Sequence, residues 1–536
     1  MLFFQTLKRG PWLIIFPLLI VGWGIFTIRL FHPYYPWSVD PEMPYLINGL
    51  NAALLKFNRI GHFDHPGTPF QLFNGIAIRL THLLSGKAPI AEDVFARPEH
   101  YLMGIKAVIA ILQAWITLAI GMAAKRKNID HSLILILQGG VLFSDMLLWT
   151  FGRAIPERWF VITSLLFILV YVKYAYNEKD LLRFATWCGV IMAMGLATKF
   201  NYLPVLIIPL LMLKTWKHRM IYSGAGLVSF LLFISPIIDN FKNYRRFITS
   251  IATHDGIYGS GEARMLNPDT FMEGLAGIFT TSTGIHLWII LIICGLLLAV
   301  IYRNKEHARQ YVPVFSAFLL ATVLQIVMVA KHFKNAYMAP LQTVLPLLLF
   351  VFVVFLTGLL NLKRGKMIPA LLFFALFAGM NLHRAIREYQ VIDTLTRQQS
   401  EVHSFVENHM PPAPAWFVDP TWLNGPHREN AIVYGLSYCR DRDKYLPELK
   451  KLNPNLITYE GHPEEVKIWR GEPVLTDSIL VSGRPLYLYD TPGRQAGMLK
   501  GVLEQAATRT GKSLSVDTIF HQEETQTRIL KISTDE

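Results

Sequence analysis

Cysteine is scarce in this chain, which has three among its 536 residues. Cys188 and Cys294 lie in strongly apolar stretches, so Cys439 would be the one cysteine outside the membrane, and it cannot form an intramolecular disulfide alone. The sequence also lacks any Asn-X-Ser/Thr sequon for N-glycosylation. Both absences favour a protein of the bacterial inner membrane over one of the endoplasmic reticulum.

Charged residues are also few, at 17 % of the chain, whereas apolar residues make up 52 %. The net charge of +13 comes mostly from short loops, where membrane anchoring accounts for it, and no nucleic-acid partner is predicted. The sequence shows no internal repeat and no low-complexity run. No small-residue cleavage site follows the first apolar stretch, so we expect a retained span and not a signal peptide.

Long apolar runs dominate the first part of the chain. A transmembrane helix needs roughly 20 predominantly apolar residues. Eleven stretches are predicted as spans, near residues 11–31, 101–124, 132–149, 156–172, 184–199, 201–214, 220–238, 284–302, 311–330, 337–358 and 368–384. The stretches 184–199 and 201–214 are short and are interrupted by Pro204, which leaves broken or re-entrant segments as an alternative.

Basic short loops alternate with loops that carry no such excess. The basic positions are Lys8, Arg9, Lys125, Arg126, Lys127, Lys173, Lys179, Arg183, Lys214, Lys217, Arg219, Arg303, Lys305, Arg309, Lys363, Arg364 and Lys366. Cationic short loops stay in the cytoplasm. The N-terminus is therefore predicted to be cytoplasmic, and the outward-facing segments are 32–99, 150–155, about 239–282, 331–336 and the tail 385–536.

The first outer loop, 32–99, is too long for a simple connection, and long structured loops are usually functional. Two amphipathic helices are predicted in it, at about 44–58 and from Thr68 onward, where Thr68-Pro69-Phe70-Gln71 reads as a capping box with proline at the first helical position. The apolar face of the second would contain Phe70, Phe73, Ile76, Ala77, Leu80 and Leu84. Both helices are expected to lie flat on the outer membrane surface.

Acidic residues precede both predicted helices. Asp40 and Glu42 follow the first span, and Asp64-His65 precedes the second helix. A carboxylate held just outside the hydrocarbon can accept a proton from an attacking hydroxyl, because desolvation raises its pKa. The alternative is that Asp40 is a helix N-cap and that the segment at Asp64 is turn chemistry.

Cations occupy the outer ends of several predicted spans. Lys199 leads this set, since a lysine in an apolar segment is costly and is either functional or extended toward the interface. Lys331, His332 and Lys334 occupy similar positions.

Charged residues also mark the start of the fourth span. Arg153, Glu157 and Arg158 cluster there. A ligand-binding role and a structural Arg–Glu pair are both open for this cluster.

The outer loop 239–282 contains His254, Asp255 and Glu262 among three glycines. This composition predicts a mobile loop that covers a site. Histidine and two carboxylates can also bind a divalent metal, although their spacing matches no standard ligand set. The third alternative is an ordinary loop with no functional role.

The tail, 385–536, is more polar and is predicted to be a small α/β domain with a packing or acceptor-selecting role. Strands are predicted at 415–418, 431–434, 456–459, 478–481, 486–489, 518–521 and 528–532, and helices near 441–452 and 494–509. The tail has no phosphate-binding glycine motif.

The order and sidedness of these features resemble membrane glycosyltransferases of the GT-C class, in particular the protein O-mannosyltransferases and the aminoarabinose transferases of lipid A. Segment 195–200 reads GLATKF and is similar to their Gly-Leu-…-Thr-Lys-aromatic stretch. Segment 331–340 resembles their Arg/His-Tyr-…-Pro element at the start of a late span. The resemblance covers roughly residues 1–385. In those families the two acids are adjacent and the histidine precedes two prolines, whereas here Pro41 separates the acids and Gly67 replaces the second proline.

The resemblance implies an all-α, polytopic GT-C-like membrane domain over 1–384, with about 11 transmembrane helices; it does not cover the exported α/β domain 385–536, which is predicted from its own composition. It also implies inverting transfer of a sugar from a polyprenyl-phosphate carrier to an acceptor hydroxyl on a lipid, glycan or protein, outside the cytoplasm. Asp40 would be the base, with Glu42 orienting it or the acceptor. The predicted substrate-binding residues are Asp64, His65, Arg153, Glu157, Lys199, His254, Lys331, His332 and Tyr337. Lys199 is the first candidate to hold the departing phosphate, and Arg153, Lys331, His332 and Lys334 are further candidates. No cofactor is expected.

Two other classes of function compete with this hypothesis. A transporter or lipid flippase should place ionisable groups near the bilayer midplane, whereas the candidate charges here lie at outer span ends. A non-catalytic membrane scaffold with an exported domain would not need acidic residues such as Asp40 and Glu42 beside two amphipathic helices, so their presence favours an enzyme.

Overall fold

The structure is a computed structural model. It describes residues 10–30, 42–63, 67–140, 148, 150–175, 178–281, 284–361, 367–410, 416–419, 428–440, 442–459, 461–490, 496–524 and 526–535. The predicted site residues Asp40, Asp64 and His65 lie outside these ranges.

Helices form most of the described chain. In chain order they are α1 (Ile15–Leu30), α2 (Glu42–Ala53), α3 (Thr68–Ser85), α4 (Ile90–Ala96), α5 (Pro98–Arg126), α6 (His131–Gly139), α7 (Pro156–Tyr174), α8 (Leu181–Thr198), α9 (Ile207–Met212), α10 (Trp216–Ile234), α11 (Phe241–Thr253), α12 (Pro268–Thr281), α13 (Ile285–Ile301), α14 (Glu306–Arg309), α15 (Val312–Ala330), α16 (Ala339–Leu359), α17 (Met367–His409), α18 (Arg428–Leu436), α19 (Leu446–Leu452), α20 (Thr476–Val481) and α21 (Ala496–Thr510). Short 3₁₀ segments occur at Pro11–Ile14, Phe57–Arg59, Glu178–Asp180, Phe200–Leu206, Ser235–Asn240, Ile257–Gly259, Asn335–Met338 and Arg442–Tyr445.

The chain divides into two compact units. The membrane unit contains Met1–Ile28, Phe63–Phe70 and Lys106–Tyr389. The sheet unit contains Arg29–His62, Gln71–Ile105 and Gln390–Glu536. Most of the first outer loop therefore belongs to the same unit as the tail. The predicted domains, 1–384 and 385–536, stay a prediction.

Several helices of the membrane unit have the length and composition of membrane spans. Among the described residues six pass this test, or seven if the bent pair α12 and α13 is one span. The six are Pro11–Leu30, Pro98–Arg126, Leu181–Thr198, Trp216–Thr253, Glu306–Ala330 and Asn335–Leu359. Where described, the eleven predicted stretches fall mostly on helical residues. The multi-pass helical architecture is confirmed.

The two short predicted spans are a broken pair. Helix α8 ends at Thr198, and Lys199 is extended, with φ −160° and ψ 136°. The chain then forms a 3₁₀ turn that contains Pro204 and continues into α9. The break interrupts helical hydrogen bonding, and it does so next to the lysine that the sequence singled out.

Hydroxyl groups connect buried helices of the membrane unit. Ser164 on α7 lies 2.7 Å from the hydroxyl of Thr343 on α16 and 3.3 Å from that of Tyr202. Helix α16 is buried along most of its length. Because apolar helices gain little hydrophobic energy from one another in lipid, such polar contacts help to fix their pairing.

The sheet unit buries the first helix of the outer loop. All 12 residues of α2 are buried, including Glu42. The prediction that α2 lies flat on the membrane surface is therefore wrong. Helix α3 begins at Thr68 as predicted, but it turns Gln71 and Asn74 inward and exposes Leu83 and Leu84. Its exposed apolar residues remain consistent with contact to lipid.

A mixed seven-stranded sheet forms the centre of the tail, in the order β4-β3-β2-β1-β5-β7-β6. The strands are β1 (Trp416–Asp419), β2 (Leu456–Thr458), β3 (Glu465–Ile468), β4 (Glu472–Leu475), β5 (Leu486–Asp490), β6 (Ser513–Gln522) and β7 (Thr527–Asp535). Strand β1 pairs parallel with β2 and β5, and the other pairs are antiparallel. Leu488 and Ile457 are buried in its core. The small α/β domain is confirmed.

Two predicted strands of the tail are wrong. Segments 431–434 and 478–481 are helical, in α18 and α20. Strands β3 and β4 were not predicted. A short apolar run cannot be assigned to helix or strand by its period alone, and these four segments are all short.

Candidate functional site

A buried ion pair lies at the centre of the membrane unit's polar site. Lys199 Nζ donates to Glu157 Oε1 at 2.7 Å, and the side chains are 9 % and 5 % exposed. Glu157 is in the first turn of α7, where the helix dipole stabilises a negative charge. The extended backbone of Lys199 follows the end of α8. Lys199 is thus buried and paired, and not extended into solvent.

Tyr337 completes the surroundings of the lysine. Its ring centroid lies 4.7 Å from Lys199 Nζ, within the range of a cation–π contact. The carbonyl oxygen of Tyr337 accepts from Gln325 Nε2 at 2.7 Å and from Asn201 Nδ2 at 3.3 Å. These amides hold the backbone at Tyr337 in place. Neither Gln325 nor Asn201 was predicted, because an isolated amide carries no recognisable motif.

These residues open onto a cavity of about 100 Å³. It is lined by Lys199, Phe200, Asn201, Phe247, Ile248, Ile251, Tyr258, Met328, Val329, His332, Phe333, Lys334 and Tyr337. Most of the lining residues are apolar. The polar groups are the ammonium groups of Lys199 and Lys334, the imidazole of His332, the amide of Asn201 and the phenols of Tyr258 and Tyr337. Of the predicted residues, the structure brings Lys199, His332 and Tyr337 together here, along with Lys334.

Lys331 and Lys334 are hydrogen-bonded to the outer loop 239–282 beside this cavity. Lys331 Nζ donates to the carbonyls of Ile251 and Ala252 at 2.6 and 2.8 Å, close to the end of α11, where a cation is favourable. Lys334 Nζ lies 2.5 Å from the hydroxyl of Tyr258. Lys331 is not among the cavity-lining residues. It therefore anchors the loop, while Lys334 faces the cavity.

His332 contributes a buried imidazole to the cavity wall. Burial lowers the pKa of His332, outweighing a hydrogen bond to the backbone of Ile251 that raises it. Its Nε2 is buried with no hydrogen-bond partner among the described residues. The neutral form is therefore favoured, and because the one ring proton is used in the hydrogen bond to Ile251, the unpartnered Nε2 is an acceptor for a ligand hydroxyl.

The loop containing His254 is folded back on itself. Asp255 Oδ1 accepts from the backbone N–H of Glu262 at 3.0 Å, and Tyr258 and Gly259 have positive φ angles of 61° and 79°. His254 lies 3.0 Å from the hydroxyl of Thr253 and does not line the cavity. Within the described part of the chain, no group of three His, Cys, Asp or Glu residues could hold a metal ion.

The two arginines at the start of α7 are buried. Arg153 is 4 % and Arg158 is 0 % exposed, and the guanidinium of Arg158 lies 5.0 Å from the ring centroid of Phe151. Glu157 forms its ion pair with Lys199, a partner that the sequence had not assigned to it.

The chain at the start of α3 is hydrogen-bonded to the end of α8. The N–H of Gly67 donates to the carbonyl of Thr198 at 3.1 Å, next to Lys199 in the chain. Gly67 has a φ of +60°, which glycine adopts without strain. The hydroxyl of Thr68 is buried with no hydrogen-bond partner among the residues described, so the predicted capping box is not formed. His65 and Asp64 precede Gly67 in sequence and lie outside the described residues.

Glu42 belongs to the other compact unit. It is the first residue of α2 and is fully buried. Asp40, two positions earlier in the sequence, lies outside the described residues.

Comparison with known proteins identifies the fold. No family model matches the sequence, and no curated protein matches it. Two matching solved structures are crystal structures of ArnT from Cupriavidus metallidurans. The one bound to undecaprenyl phosphate is 11 % identical, with a TM-score of 0.53 over 97 % of this chain and 98 % of that chain. The apo structure is 12 % identical, with a TM-score of 0.54 over 98 % of each chain. The chain therefore has the ArnT-like GT-C fold, a multi-pass helical membrane domain with a small α/β domain.

Proposed function

We propose that this protein is an integral-membrane glycosyltransferase that moves a sugar from a polyprenyl-phosphate carrier to an acceptor hydroxyl. The observation that carries the proposal is the cavity in which two cations, Lys199 and Lys334, lie among mostly apolar walls. A lipid phosphate needs cations for its oxygens in a site from which water is largely excluded. The likeness to ArnT, whose solved structure is bound to undecaprenyl phosphate, supports the same class of carrier.

Lys199 would bind the phosphate oxygens. An ammonium has three N–H donors, and one of them goes to Glu157. Among the described residues the other two have no hydrogen-bond acceptor and are available to a ligand, while the Glu157 carboxylate holds the ammonium in place. As the sugar–phosphate bond breaks, negative charge grows on the phosphate, and a preplaced cation stabilises that charge at little reorganisation cost.

A second cavity offers room for the isoprenoid chain. It measures about 530 Å³ and lies among α8, α9, α10 and α15. Its lining is almost wholly apolar, and Met328 lines both this cavity and the first one. A carrier with its phosphate at Lys199 could extend its tail into this space, where apolar burial favours binding.

The reaction would be a single displacement with inversion. Asp40 is proposed to take the proton from the acceptor hydroxyl, with Glu42 orienting it or the acceptor. The hydroxyl oxygen then bonds to the anomeric carbon while the carbon–oxygen bond to phosphate breaks, and polyprenyl phosphate leaves. One base suffices for this chemistry, in contrast to the paired carboxylates of glycoside hydrolases.

The location follows from the loop charges. We place the protein in the bacterial inner membrane, with the N-terminus in the cytoplasm and the tail on the outer side. Asp64, His65, Arg153 and His254 remain proposed substrate-binding residues, and a lipid, glycan or protein hydroxyl is the proposed acceptor.

Mass spectrometry of lipids that co-purify with the protein tests the proposal directly. We expect a bound polyprenyl phosphate or its glycoside. In a transfer assay with that glycoside, Asp40→Asn should abolish sugar transfer while the protein still folds and binds donor. Asp393→Asn is a matched control, because Asp393 pairs with Arg397 on an exposed part of α17. Absence of any isoprenyl lipid, together with no transfer by the wild type from any polyprenyl-phosphate sugar, would refute the proposal, whereas full activity of Asp40→Asn would refute the assignment of the base.

A further inference from the structure

Helix α2 is held by the C-terminal tail, within the sheet unit. Its 12 residues are all buried, and its two asparagines, Asn48 and Asn51, are 0 % exposed. Buried amides are costly unless they are hydrogen-bonded. Both asparagines satisfy this need through residues of the tail.

Asn48 bridges three backbone segments. Its Nδ2 donates to the carbonyls of Pro44 at 2.8 Å and Tyr438 at 3.2 Å, and its Oδ1 accepts from the N–H of Gly61 at 3.0 Å. One side chain thus links α2, the outer-loop backbone at Gly61 and the turn that follows α18.

Asn51 makes a second bridge one helical turn later. Its Nδ2 donates to the carbonyl of Arg59 and to Cys439 Sγ, each at 3.2 Å. Its Oδ1 accepts from the hydroxyl of Tyr445 at 2.7 Å. Burial raises the pKa of Tyr445, so the phenol stays protonated and remains the donor. A short antiparallel bridge between Ile60 and Cys439 runs alongside.

Small residues bring the helices close enough for these bonds. A Cβ atom on Gly435 of α18 would lie 2.9 Å from Ile47 Cγ1 and 3.0 Å from the carbonyl oxygen of Met43. On another side of α2, a Cβ on Gly75 would lie 2.8 Å from the Cβ of Ala52. Helix α2 is therefore clamped between α3 and α18, with no space to shift.

We infer that Asn48, Asn51 and Tyr445 are positioning residues, through which the tail fixes α2 and so sets the place of Glu42, the proposed partner of the base, at its start. Glu42 is the first residue of that helix, and Asp40 precedes it by two positions. The inference rests on the proposed function, and it gives the tail a role in the proton-transfer step. A displacement on the order of 1 Å can cost 10²-fold in rate, so a loosened clamp would lower kcat.

Tyr445→Phe tests the inference by removing one hydroxyl and keeping the ring. We expect kcat to fall about tenfold or more, with the KM of both substrates and the donor Kd within about twofold of wild type. Amide hydrogen exchange of residues 42–53 should become faster. Tyr459→Phe is the matched control, since Tyr459 is buried in the core of the sheet and should leave kcat unchanged.

Gly435→Ala is a second variant that acts on the same contact without leaving an unpaired amide. The added methyl would push α18 away from α2, and the same loss of kcat at constant KM is expected. A merely structural role would reduce the yield of folded protein and leave the kcat of the folded fraction unchanged. That result in both variants, or unchanged exchange in residues 42–53, would overturn the inference. If wild-type protein transfers no sugar from any polyprenyl-phosphate donor, the proposed function fails, and the exchange measurement still decides whether the tail fixes α2.

Discussion

Replacing Lys199 with methionine removes the ammonium and leaves the Glu157 carboxylate buried. Both side chains of this 2.7 Å pair are less than a tenth exposed, at 9 % and 5 %, so solvent cannot compensate the orphaned charge. Breaking such a pair from one side costs about 3–5 kcal/mol of stability. The thermal midpoint of Lys199→Met in detergent should therefore fall clearly below that of the wild type.

Donor affinity should fall for a different reason. A hydrogen bond to a charged group contributes about 1.5–3 kcal/mol, and 1.4 kcal/mol corresponds to about tenfold in Kd. The loss of Lys199 should weaken binding of a polyprenyl phosphate by about 10- to 100-fold. Acceptor binding should change much less, because the cation is assigned to the phosphate.

The double variant Glu157→Met with Lys199→Met separates the two effects. Replacing both members of a buried pair by apolar residues of similar volume is often neutral, so its stability should return to within about 1–2 kcal/mol of wild type. Its affinity for polyprenyl phosphate, measured by the same binding assay, should stay low. If this variant regained wild-type donor affinity, or if Lys199→Met lost neither stability nor affinity, Lys199 would not be the phosphate ligand.

Three further predictions concern the loops and the tail. Gly67→Ala should lower the free energy of unfolding by about 1–2 kcal/mol, because a residue with a side chain is strained at a φ of +60°. An unchanged midpoint of thermal unfolding would contradict the assigned turn. The pKa of Asp93 is about 2 because hydrogen bonds from Arg97 and Tyr101 outweigh burial, which raises it. This carboxylate therefore stabilises the fold fully above pH 4 and loses about 2 kcal/mol as the pH falls toward 2; in Asp93→Asn that part of the pH dependence of unfolding should vanish. A cysteine introduced by Lys450→Cys should react with an impermeant maleimide from outside intact spheroplasts, whereas Lys214→Cys should not; the reverse pattern would invert the topology.

The membrane helices could be predicted from sequence because their signal is long and local. Twenty apolar residues leave few alternatives, and the break at Lys199 was marked by the nearby Pro204. The predicted start of α3 was also correct. In each case the sequence feature and the structure that it specifies occupy the same segment of chain.

The contacts between distant segments could not be predicted in this way. The partner of Lys199 lies 42 residues away, and Asn51 binds Cys439 across 388 residues. The burial of α2 depends on α18, which itself was predicted to be a strand. No local pattern distinguishes an amphipathic helix that lies on lipid from one enclosed by the protein's own tail.

The pairing of Glu157 with Lys199 also has a consequence for biogenesis. The carboxylate belongs to the earlier helix, so it is synthesised 42 residues ahead of the ammonium. A lone lysine near lipid costs roughly 2.5–3.5 kcal/mol at the centre of an inserting helix, and less near its end. When α8 leaves the translocon, its counter-charge is therefore already in the bilayer, and the two helices can be released side by side in the correct register.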